Sequence, residues 1–304
     1  MGGVCAIVVA FNPDIGRLRV VLDTLEQQVG RIVVVDNGSE NFDDLGLLVA
    51  RLSNAVLLAL GQNLGVGAAL NRGIEVASAD KFDAVLLMDQ DSVPSTTLVS
   101  DLMRTLESVL LLERRVAAIG PRFVDRHSGG LSHHIVFSGW RIKRIECNSV
   151  SERVEVDFLI TSGSLILIST LEVVGRFDES LFIDHIDTEW MLRARYHGFH
   201  VYGDCRAIME HDLGEFRRQM WFLRQRDIPI HKPFRYYYMV RNSLLLRRLP
   251  HASVSWRRID ALRLLKIAVF MCWFHPQRWA VCRMMLDGLR DGLRGRTGKR
   301  KVEV

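Results

Sequence analysis

The chain has 304 residues, 48% of them hydrophobic and 25% charged, so it can fold around a full core and general disorder is excluded. Its net charge of +5 is unevenly distributed, because residues 217–304 contain 21 Lys and Arg against 5 Asp and Glu. This basic end indicates an anionic partner, either a membrane surface or a nucleic acid. The longest uncharged apolar run near the C-terminus, residues 267–274, is too short to cross a bilayer, so we expect no membrane span.

The five cysteines are scattered along the chain without paired spacing. They are Cys5, Cys147, Cys205, Cys272 and Cys282. This pattern argues against a zinc cluster or a disulfide framework. It is typical of a reducing cytoplasm, where we expect the protein to be found.

The first 90 residues alternate short apolar runs with segments of helical periodicity. Strands are predicted over residues 4–10, 31–35, 55–60 and from 84, and helices over 18–25, 45–52 and 68–77. Strands that alternate with helices form βαβ units around a parallel sheet, so we predict an α/β fold.

The second half is less regular. Predicted elements are a strand at 116–119, short antiparallel strands within 125–150, a strand, bend and helix start over 156–168, a helix through 193–197 and a strand over 198–207. After Arg217 the chain is predicted to be helical and basic to its end.

Polar side chains follow each of the first four predicted strands. They are Asn12, Asp36, Asn37, Gln62, Asn63, Asp89, Gln90 and Asp91. Because the carboxyl ends of parallel strands meet at one edge of a sheet, these side chains can line one pocket. Any one of them alone is better explained by an ordinary turn, and only the coincidence of four favours a ligand site.

Asp89 and Asp91 follow a buried apolar run and fall on the same side of an extended chain. Hard oxygen ligands of this kind suit Mg2+ or Mn2+ bound to a nucleotide diphosphate. The alternative is a solvated acidic turn. The glycines near residue 65 match neither a P-loop nor a dinucleotide fingerprint.

A second acidic cluster, at Asp184, Asp187 and Glu189, precedes the helix through residue 193. A carboxylate at a helix N-terminus is kept ionised by the helix dipole and can accept a proton. A helix cap formed by Asp187 or Thr188 explains the same spacing equally well.

Taken together, these stretches resemble inverting glycosyltransferases of family 2, and in detail bacterial dTDP-rhamnosyltransferases. The matching stretches are residues 10–13, 35–39, 63–65, 71–73, 88–91, 177–193 and 236–242. The resemblance implies a Rossmann-like glycosyltransferase A fold with a mostly parallel central sheet and a basic helical C-terminal region. It implies a catalytic domain over 1–250, with a donor-binding half of about 1–120 and an acceptor half of about 121–250, and a basic amphipathic tail over 251–304.

By position, the resemblance places Asp36 against the pyrimidine base, and Asp89 and Asp91 against the ribose and the metal-bound diphosphate. The donor-binding set is Phe11, Asn12, Asp36, Asn37, Asn63, Asp89, Gln90 and Asp91. The metal, Mg2+ or Mn2+, is assigned to Asp89, Asp91 and His211, with a purely structural His211 as an equal alternative.

Asp187 falls where the family keeps its catalytic base. Many members have Glu before that position, where this chain has Ile186. Glu189, two residues further on, is therefore a second candidate for the base.

The implied function is metal-dependent, inverting transfer of L-rhamnose from dTDP-L-rhamnose to a lipid-linked or polysaccharide acceptor in cell-surface glycan (O-antigen-like) biosynthesis. A UDP-sugar is the alternative donor. A haloacid-dehalogenase-like phosphatase is a distant alternative, because residues 89–93 fit its Asp-x-Asp signature. Against it, Ile208 stands where that family needs an acid.

Residues 254–304 carry 12 Lys and Arg against 4 Asp and Glu, with Leu262, Leu265, Val269 and Trp273 at helical spacing. Trp256, Trp273 and Trp279 are rings of the kind that settle at lipid headgroup depth. We therefore predict helices lying on the anionic inner face of the cell membrane. The alternative is helices that pack on the catalytic domain. A nucleic-acid module is disfavoured, since no recognised motif accompanies the charge.

Overall fold

The computed structural model describes residues 3–112, 114–126, 129–147, 153–211, 216–222 and 224–300, without the side chains of 216–222 and 224–229. The first part alternates strands and helices as predicted. Its elements are β1 (Val4–Ala10), α1 (Ile15–Glu26), β2 (Arg31–Asp36), α2 (Phe42–Val49), β3 (Ala55–Ala59), α3 (Val66–Ala79), β4 (Ala84–Asp89), β5 (Val93–Pro94) and α4 (Leu98–Leu110).

The second part contains the strands that complete the sheet and the C-terminal helices. Its elements are β6 (Val116–Asp125), β7 (His134–Ser138), β8 (Arg141–Ile145), β9 (Arg153–Val156), β10 (Ser164–Leu167), α5 (Ile168–Val174), α6 (Ile186–Tyr196), β11 (His200–His211), β12 (Phe216–Phe222), β13 (Arg224–Ile230), α7 (Pro233–Leu246), α8 (Val254–Phe274) and α9 (Arg278–Leu293). The predicted short antiparallel strands within 125–150 are confirmed as the β7–β8 hairpin.

The central sheet has the strand order β3-β2-β1-β4-β10-β6-β11-β5, with β9 beside β11. Neighbours among β3, β2, β1 and β4 are parallel, as are β6 and β11. Strand β10 runs antiparallel between β4 and β6. The predicted α/β fold with a mostly parallel central sheet is therefore confirmed.

The unbroken apolar run of β4 follows from burial of both sheet faces. Val85 and Leu87 pack with Ile7 in one core cluster, whereas Leu86 and Met88 belong to the cluster on the other face. Because side chains alternate along a strand, a strand that is covered on both sides needs apolar residues at every position.

The prediction of a helix from Arg217 onward is wrong for its first part, because β12 and β13 form an antiparallel hairpin. The sequence does contain a signal against a helix there. Pro229 lacks the amide that a helix interior needs, and its ring clashes with the preceding turn. The helical region begins only with α7, which has a proline at its start.

The prediction of no disulfide framework is also wrong at one pair, since Cys147 and Cys205 are joined by a disulfide. They lie 58 residues apart in the sequence, so no local spacing relates them. The cysteines therefore give no support to a reducing compartment. Cys5, Cys272 and Cys282 are free thiols.

Helices α8 and α9 pack on the rest of the protein. A Cβ atom at Gly288 of α9 would lie 2.4 Å from the carbonyl oxygen of Tyr237 in α7, so only glycine permits this approach. The Tyr237 hydroxyl donates to Asp291 at 3.0 Å. Among the described residues, no helix combines the length and apolar character that crossing a membrane requires. Residues 301–304 of the predicted tail lie outside the described residues.

Candidate active site

The polar side chains after β1 to β4 lie along one edge of the sheet. The register places Ala10 beside Asp36, and Asp36 beside Ala59. Gln90 joins the ends of β1 and β4 through the backbone of Phe11, whose amide donates to Oε1 at 2.7 Å and whose carbonyl accepts from Nε2 at 3.3 Å. The sequence prediction of one polar edge is borne out in this geometry.

The turns after β1 and β2 are tied together by Asn12. Its backbone has a left-handed φ of 46°. Its amide donates to Ser39 Oγ at 2.9 Å, and its Oδ1 accepts from the Glu40 amide at 2.7 Å. Asn12 therefore fixes the relative position of two of the four turns.

Asp36 and Asn37 are almost fully buried and stabilise the same edge. The Asp36 carboxylate accepts from the Ser39 amide at 3.1 Å. Asn37 accepts from the Leu64 amide at 2.9 Å and donates to Asn63 Oδ1 at 3.3 Å. Residues 36–39 therefore form an ordinary hydrogen-bonded turn, which was the alternative to a ligand site in the sequence analysis. Because a carboxylate offers about four acceptor positions, the Asp36 carboxylate can still accept hydrogen bonds from a ligand.

Asp89, Asp91 and His211 converge at the end of this edge, with one ligand atom of each within 4.8 Å of the others. The pairing of β5 with β11 brings them together, since Glu210 lies opposite Val93. Two carboxylates and an imidazole are a donor set that divalent cations accept in proteins. The residues that the sequence proposed as metal ligands therefore fit a cation.

The His211 ring is held in place from its sides. Ser92, fully buried, has its Oγ 2.7 Å from His211 Nδ1, and the Phe123 ring packs edge-on with centroids 5.5 Å apart. A hydrogen bond to one ring nitrogen is the usual way in which a metal-binding imidazole is oriented.

Without a cation, the close carboxylates of Asp89 and Asp91 are electrostatically unfavourable in their ionised forms. Burial and the neighbouring charge of Asp91 raise the pKa of Asp89 to about 7, and Arg235 offsets only part of this. Two close carboxylates repel each other, so a bound cation would stabilise the ionised pair.

Asp187 lies in the first turn of α6. Burial raises its pKa to about 6, against hydrogen bonds from Thr188, and the charges of Asp184 and Asp89 add to the rise. The amide of Thr188 donates to Asp187 Oδ1 at 2.7 Å. Asp187 therefore interacts electrostatically with Asp89 of the cluster, and its pKa is near the range that general bases use.

Glu189 has different surroundings although it lies on the same helix. Arg193 donates to both of its oxygens, at 2.8 and 2.9 Å, and His251 Nε2 lies 3.0 Å from Oε1. Burial raises the pKa of Glu189, but the hydrogen bonds and charges of His251 and Arg193 outweigh it, and the net pKa is lowered. A buried carboxylate that is paired in this way is a structural anchor and a poor proton acceptor.

The loop that leads into α6 is strained. Phe182, Asp184 and His185 all have left-handed backbones, with φ between 64° and 66°. Such conformations cost about 1–3 kcal/mol each in non-glycine residues and persist only when the surroundings impose them. Strain of this kind is concentrated at functional sites, and here it directly precedes Asp187.

Asn242 is the main restraint on this loop. Its Nδ2 lies within 3.0 Å of the carbonyl oxygens of Leu181, Ile183 and Asp184. Arg241, with no exposed surface, donates to the Leu181 carbonyl at 2.9 Å. Both residues lie in the stretch 236–242, for which the sequence predicted no role. They are buried polar residues that hold the loop before Asp187.

Gly65 connects the loop to the donor edge. A Cβ atom there would lie 2.5 Å from the Phe182 carbonyl oxygen, and the φ of +95° at Gly65 also requires glycine.

Arg235 was not predicted from the sequence as a site residue. It forms a salt bridge with Asp184, and its charge acts on Asp89. The polar edge, the cluster of Asp89, Asp91 and His211, and the loop that precedes Asp187 therefore form one connected site.

Residues 5–157 match the glycosyl transferase family 2 domain. The chain belongs to this family. Membership makes it a glycosyltransferase and decides against the phosphatase alternative. The chain is also 29% identical over 304 residues to the dTDP-rhamnosyl transferase RfbF of Shigella flexneri, with 96% of each chain covered.

Two solved glycosyltransferase structures have a similar fold. A crystal structure of GalNAc-T7 with UDP, GalNAc and Mn2+ matches 91% of this chain with a TM-score of 0.57 and 12% identity. The crystal structure of TarS from S. aureus matches 96% with a TM-score of 0.59 and 14% identity. This family 2 chain spans 58% and 48% of those two chains. These similarities confirm the glycosyltransferase A fold.

Proposed function

We propose that this family 2 enzyme is an inverting, metal-dependent glycosyltransferase that moves L-rhamnose from dTDP-L-rhamnose to a lipid-linked or polysaccharide acceptor in cell-surface glycan biosynthesis. The observation that carries the proposal is the convergence of Asp89, Asp91 and His211 beside the buried carboxyl group of Asp187. The dTDP-rhamnosyl transferase among its relatives supports the donor assignment.

In this proposal the polar edge binds the donor. Asp36 lies at the base end, and Asp89 and Asp91 lie at the ribose and the diphosphate. Phe11, Asn12, Asn37, Asn63 and Gln90 complete the donor-binding set, and the donor half is residues 1 to about 120. Asp89, Asp91 and His211 would hold Mg2+ or Mn2+. When bound, the cation supplies positive charge next to the departing diphosphate.

Asp187 acts as the general base in a single displacement. The acceptor hydroxyl gives its proton to the Asp187 carboxylate while its oxygen bonds to the anomeric carbon. The bond from that carbon to the diphosphate oxygen breaks, and dTDP leaves with the electron pair. Attack from the side opposite the leaving group inverts the anomeric centre. Glu189 is not the base in this proposal, because Arg193 and His251 already occupy its oxygens.

A thermal-shift comparison of dTDP, UDP, GDP and CMP, each with and without Mn2+, tests the donor. We expect dTDP and UDP to raise Tm in a Mn2+-dependent manner, since a ligand at a hundred times its Kd contributes about 2.7 kcal/mol. Among the nucleotide sugars, dTDP-L-rhamnose should raise Tm more than the UDP-sugars do. The reverse order would support the UDP-sugar alternative. Stabilisation by GDP alone would contradict the placement of Asp36 against a pyrimidine base, and stabilisation by CMP alone would contradict a diphosphate-linked donor.

The C-terminal helices retain an exposed apolar surface although they pack on the protein. Leu265, Val269 and Trp273 are exposed along α8, with Trp273 74% exposed, and Trp279 of α9 is 78% exposed. Trp256, which we had grouped with these rings, is instead buried. Lys266, Arg278 and Arg283 are exposed near this surface. These features support peripheral binding to the anionic inner leaflet, next to a lipid-linked acceptor.

Co-sedimentation with anionic liposomes tests this surface in the full-length protein. We expect the double variant Trp273→Ser/Trp279→Ser to stay in the supernatant at low salt while the wild type pellets. Trp140→Ser removes an exposed ring outside the tail and should pellet like the wild type. Equal pelleting of all three proteins would mean that the tail is not a membrane anchor.

A further inference from the structure

The described part of the chain contains a second group of potential cation ligands, which shares no residue with the candidate active site. One ring nitrogen of His134 and the sulfur atoms of Cys147 and Cys205 all lie within 4.8 Å of one another. The two sulfur atoms are joined as a disulfide. No paired spacing relates these residues in the sequence, which is why sequence analysis disfavoured a zinc cluster. Reduction of the disulfide would leave two thiols beside an imidazole.

The His134 ring is buried and is oriented by the backbone of β11. Its Nε2 lies 3.1 Å from the carbonyl oxygen of Asp204. Because a carbonyl oxygen can only accept, Nε2 is the donor in this hydrogen bond. Burial lowers the pKa of His134, so the ring is neutral and Nδ1 keeps its lone pair. A histidine metal ligand usually donates its other ring N–H to a carbonyl or carboxylate in this way.

The close approach of the His134 ring to β11 depends on Gly203. A Cβ atom at Gly203 would lie 2.4 Å from both Cε1 and Nδ1 of the ring. Any other residue would therefore displace the ring from its place beside the two sulfur atoms. Close approach of another group is a common reason for glycine inside a strand.

Cys205 lies in an irregular part of β11. The pairing of β11 with β6 shifts its register between Gly203 and Ile208, and a bulge of this kind re-aims the side chains that it carries. The buried Asp204 carboxylate fixes the bulge, because it accepts from the amides of residues 206 and 207 at 2.7 and 2.8 Å. Hydrogen bonds that do not involve the disulfide therefore also hold the backbone next to Cys205.

We infer that His134, Cys147 and Cys205 form a zinc site when the disulfide is reduced. Thiolates and imidazole are the ligands that Zn2+ prefers in proteins, and three of them leave one tetrahedral position for water. The cation then replaces the disulfide as the link between the β7–β8 hairpin and β11. The hairpin is therefore fastened in oxidising and in reducing surroundings. This second site does not depend on the sugar donor or on the cation of the proposed function.

The exchange consists of two balanced steps. Two molecules of a monothiol reduce the disulfide: the bond between the two sulfur atoms breaks, each sulfur takes up one hydrogen, and the monothiol leaves as its own disulfide. One Zn2+ then binds both sulfur atoms and displaces one proton from each. Cys147 and Cys205 are only partly buried, so reductant and cation can reach them.

Co2+ is the probe, because a bond between Co2+ and a thiolate gives a near-ultraviolet charge-transfer band that carboxylate and imidazole ligands do not give. The full-length protein is compared in its reduced form, with five titratable thiols, and its oxidised form, with three. We expect the band only in the reduced form, from one Co2+ per chain, and we expect Zn2+ to displace that ion. Zn2+ should also raise the Tm of the reduced form more than that of the oxidised form.

Cys205→Ser is the test variant, because the hydroxyl is close in size to the thiol that it replaces. The loss of a thiolate ligand should weaken Co2+ binding by at least about 100-fold, beyond the about 10–100-fold that loss of an orienting partner costs. His134→Gln keeps both thiols and should also weaken binding. The matched control is Cys272→Ser/Cys282→Ser, which removes the other adjacent pair of thiols, with sulfur atoms 2.8 Å apart. It should bind like the wild type.

Three results would overturn the inference. The first is absence of the thiolate band in the reduced wild type, a comparison that needs no variant to fold. The second is undiminished Co2+ binding in Cys205→Ser or in His134→Gln. The third is loss of the band in Cys272→Ser/Cys282→Ser, which would assign the cation to the two C-terminal helices.

Discussion

Replacing Asp187 with asparagine is expected to leave dTDP binding intact and to lower the rate of sugar transfer about 10²–10⁴-fold, the usual loss for a missing general base. The amide keeps an oxygen that can accept from the Thr188 amide, so α6 should start normally. Because burial raises the pKa of Asp187 to about 6, wild-type activity should fall as the pH drops through about 6, where the carboxylate becomes protonated. The residual activity of the variant should not show this decrease at low pH.

Glu189→Gln is the matched comparison on the same helix. It removes the negative partner of a buried ion pair with Arg193, a change that typically costs about 3–5 kcal/mol of stability. We expect a lower Tm and a smaller loss of turnover per folded molecule than in Asp187→Asn. A folded but inactive Glu189→Gln together with an active Asp187→Asn would reverse the assignment of the base.

Asp91→Asn is expected to abolish the Mn2+-dependent part of dTDP binding, because a cation loses one of two carboxylate ligands. With a chelator present, the variant and the wild type should show the same small dTDP-induced Tm shift. Ser92→Ala, which removes only the group that orients His211, should weaken metal binding less, about 10–100-fold. Full Mn2+ dependence in Asp91→Asn would exclude this residue as a ligand.

The same variant has a predicted effect on the metal-free protein. The pKa of Asp89 is raised in the folded state from 3.8 to about 7 by burial and by the charge of Asp91. The folded state then binds more protons than the unfolded state in this window, so stability should fall as the pH rises from about 4 to about 7. Removing the Asp91 charge lowers the pKa of Asp89 and should reduce that loss. The measurement is Tm as a function of pH for both proteins without metal, and the decrease should be smaller in Asp91→Asn.

Much of the donor half could be predicted because its signals are local. Each βαβ unit is encoded by a short apolar run and a helical repeat, and the residues after each strand reach one edge because parallel strands share direction. Asp36, Asp89 and Gln90 could therefore be placed at one edge of the sheet without tertiary information.

The cluster of Asp89, Asp91 and His211 could be recognised only from the tertiary structure. His211 follows Asp91 by 120 positions, and no spacing relates them. They meet because β5 is a short edge strand ending in Pro94 that pairs with the end of β11. The disulfide between Cys147 and Cys205 escaped sequence analysis for the same reason.

Tertiary structure also gives different surroundings to residues that the sequence offered as alternatives. Asp187 and Glu189 are two residues apart and so about 200° apart around α6, which turns Glu189 toward Arg193 and His251 and leaves Asp187 facing a cavity. The sequence determined that the C-terminal region would form basic helices with apolar residues at regular spacing. Which of those residues are exposed depended on contacts with distant elements: Trp256 is buried beside His185, whereas Trp273 remains exposed. Periodicity specifies that a helix has an apolar face, and only packing specifies what that face meets.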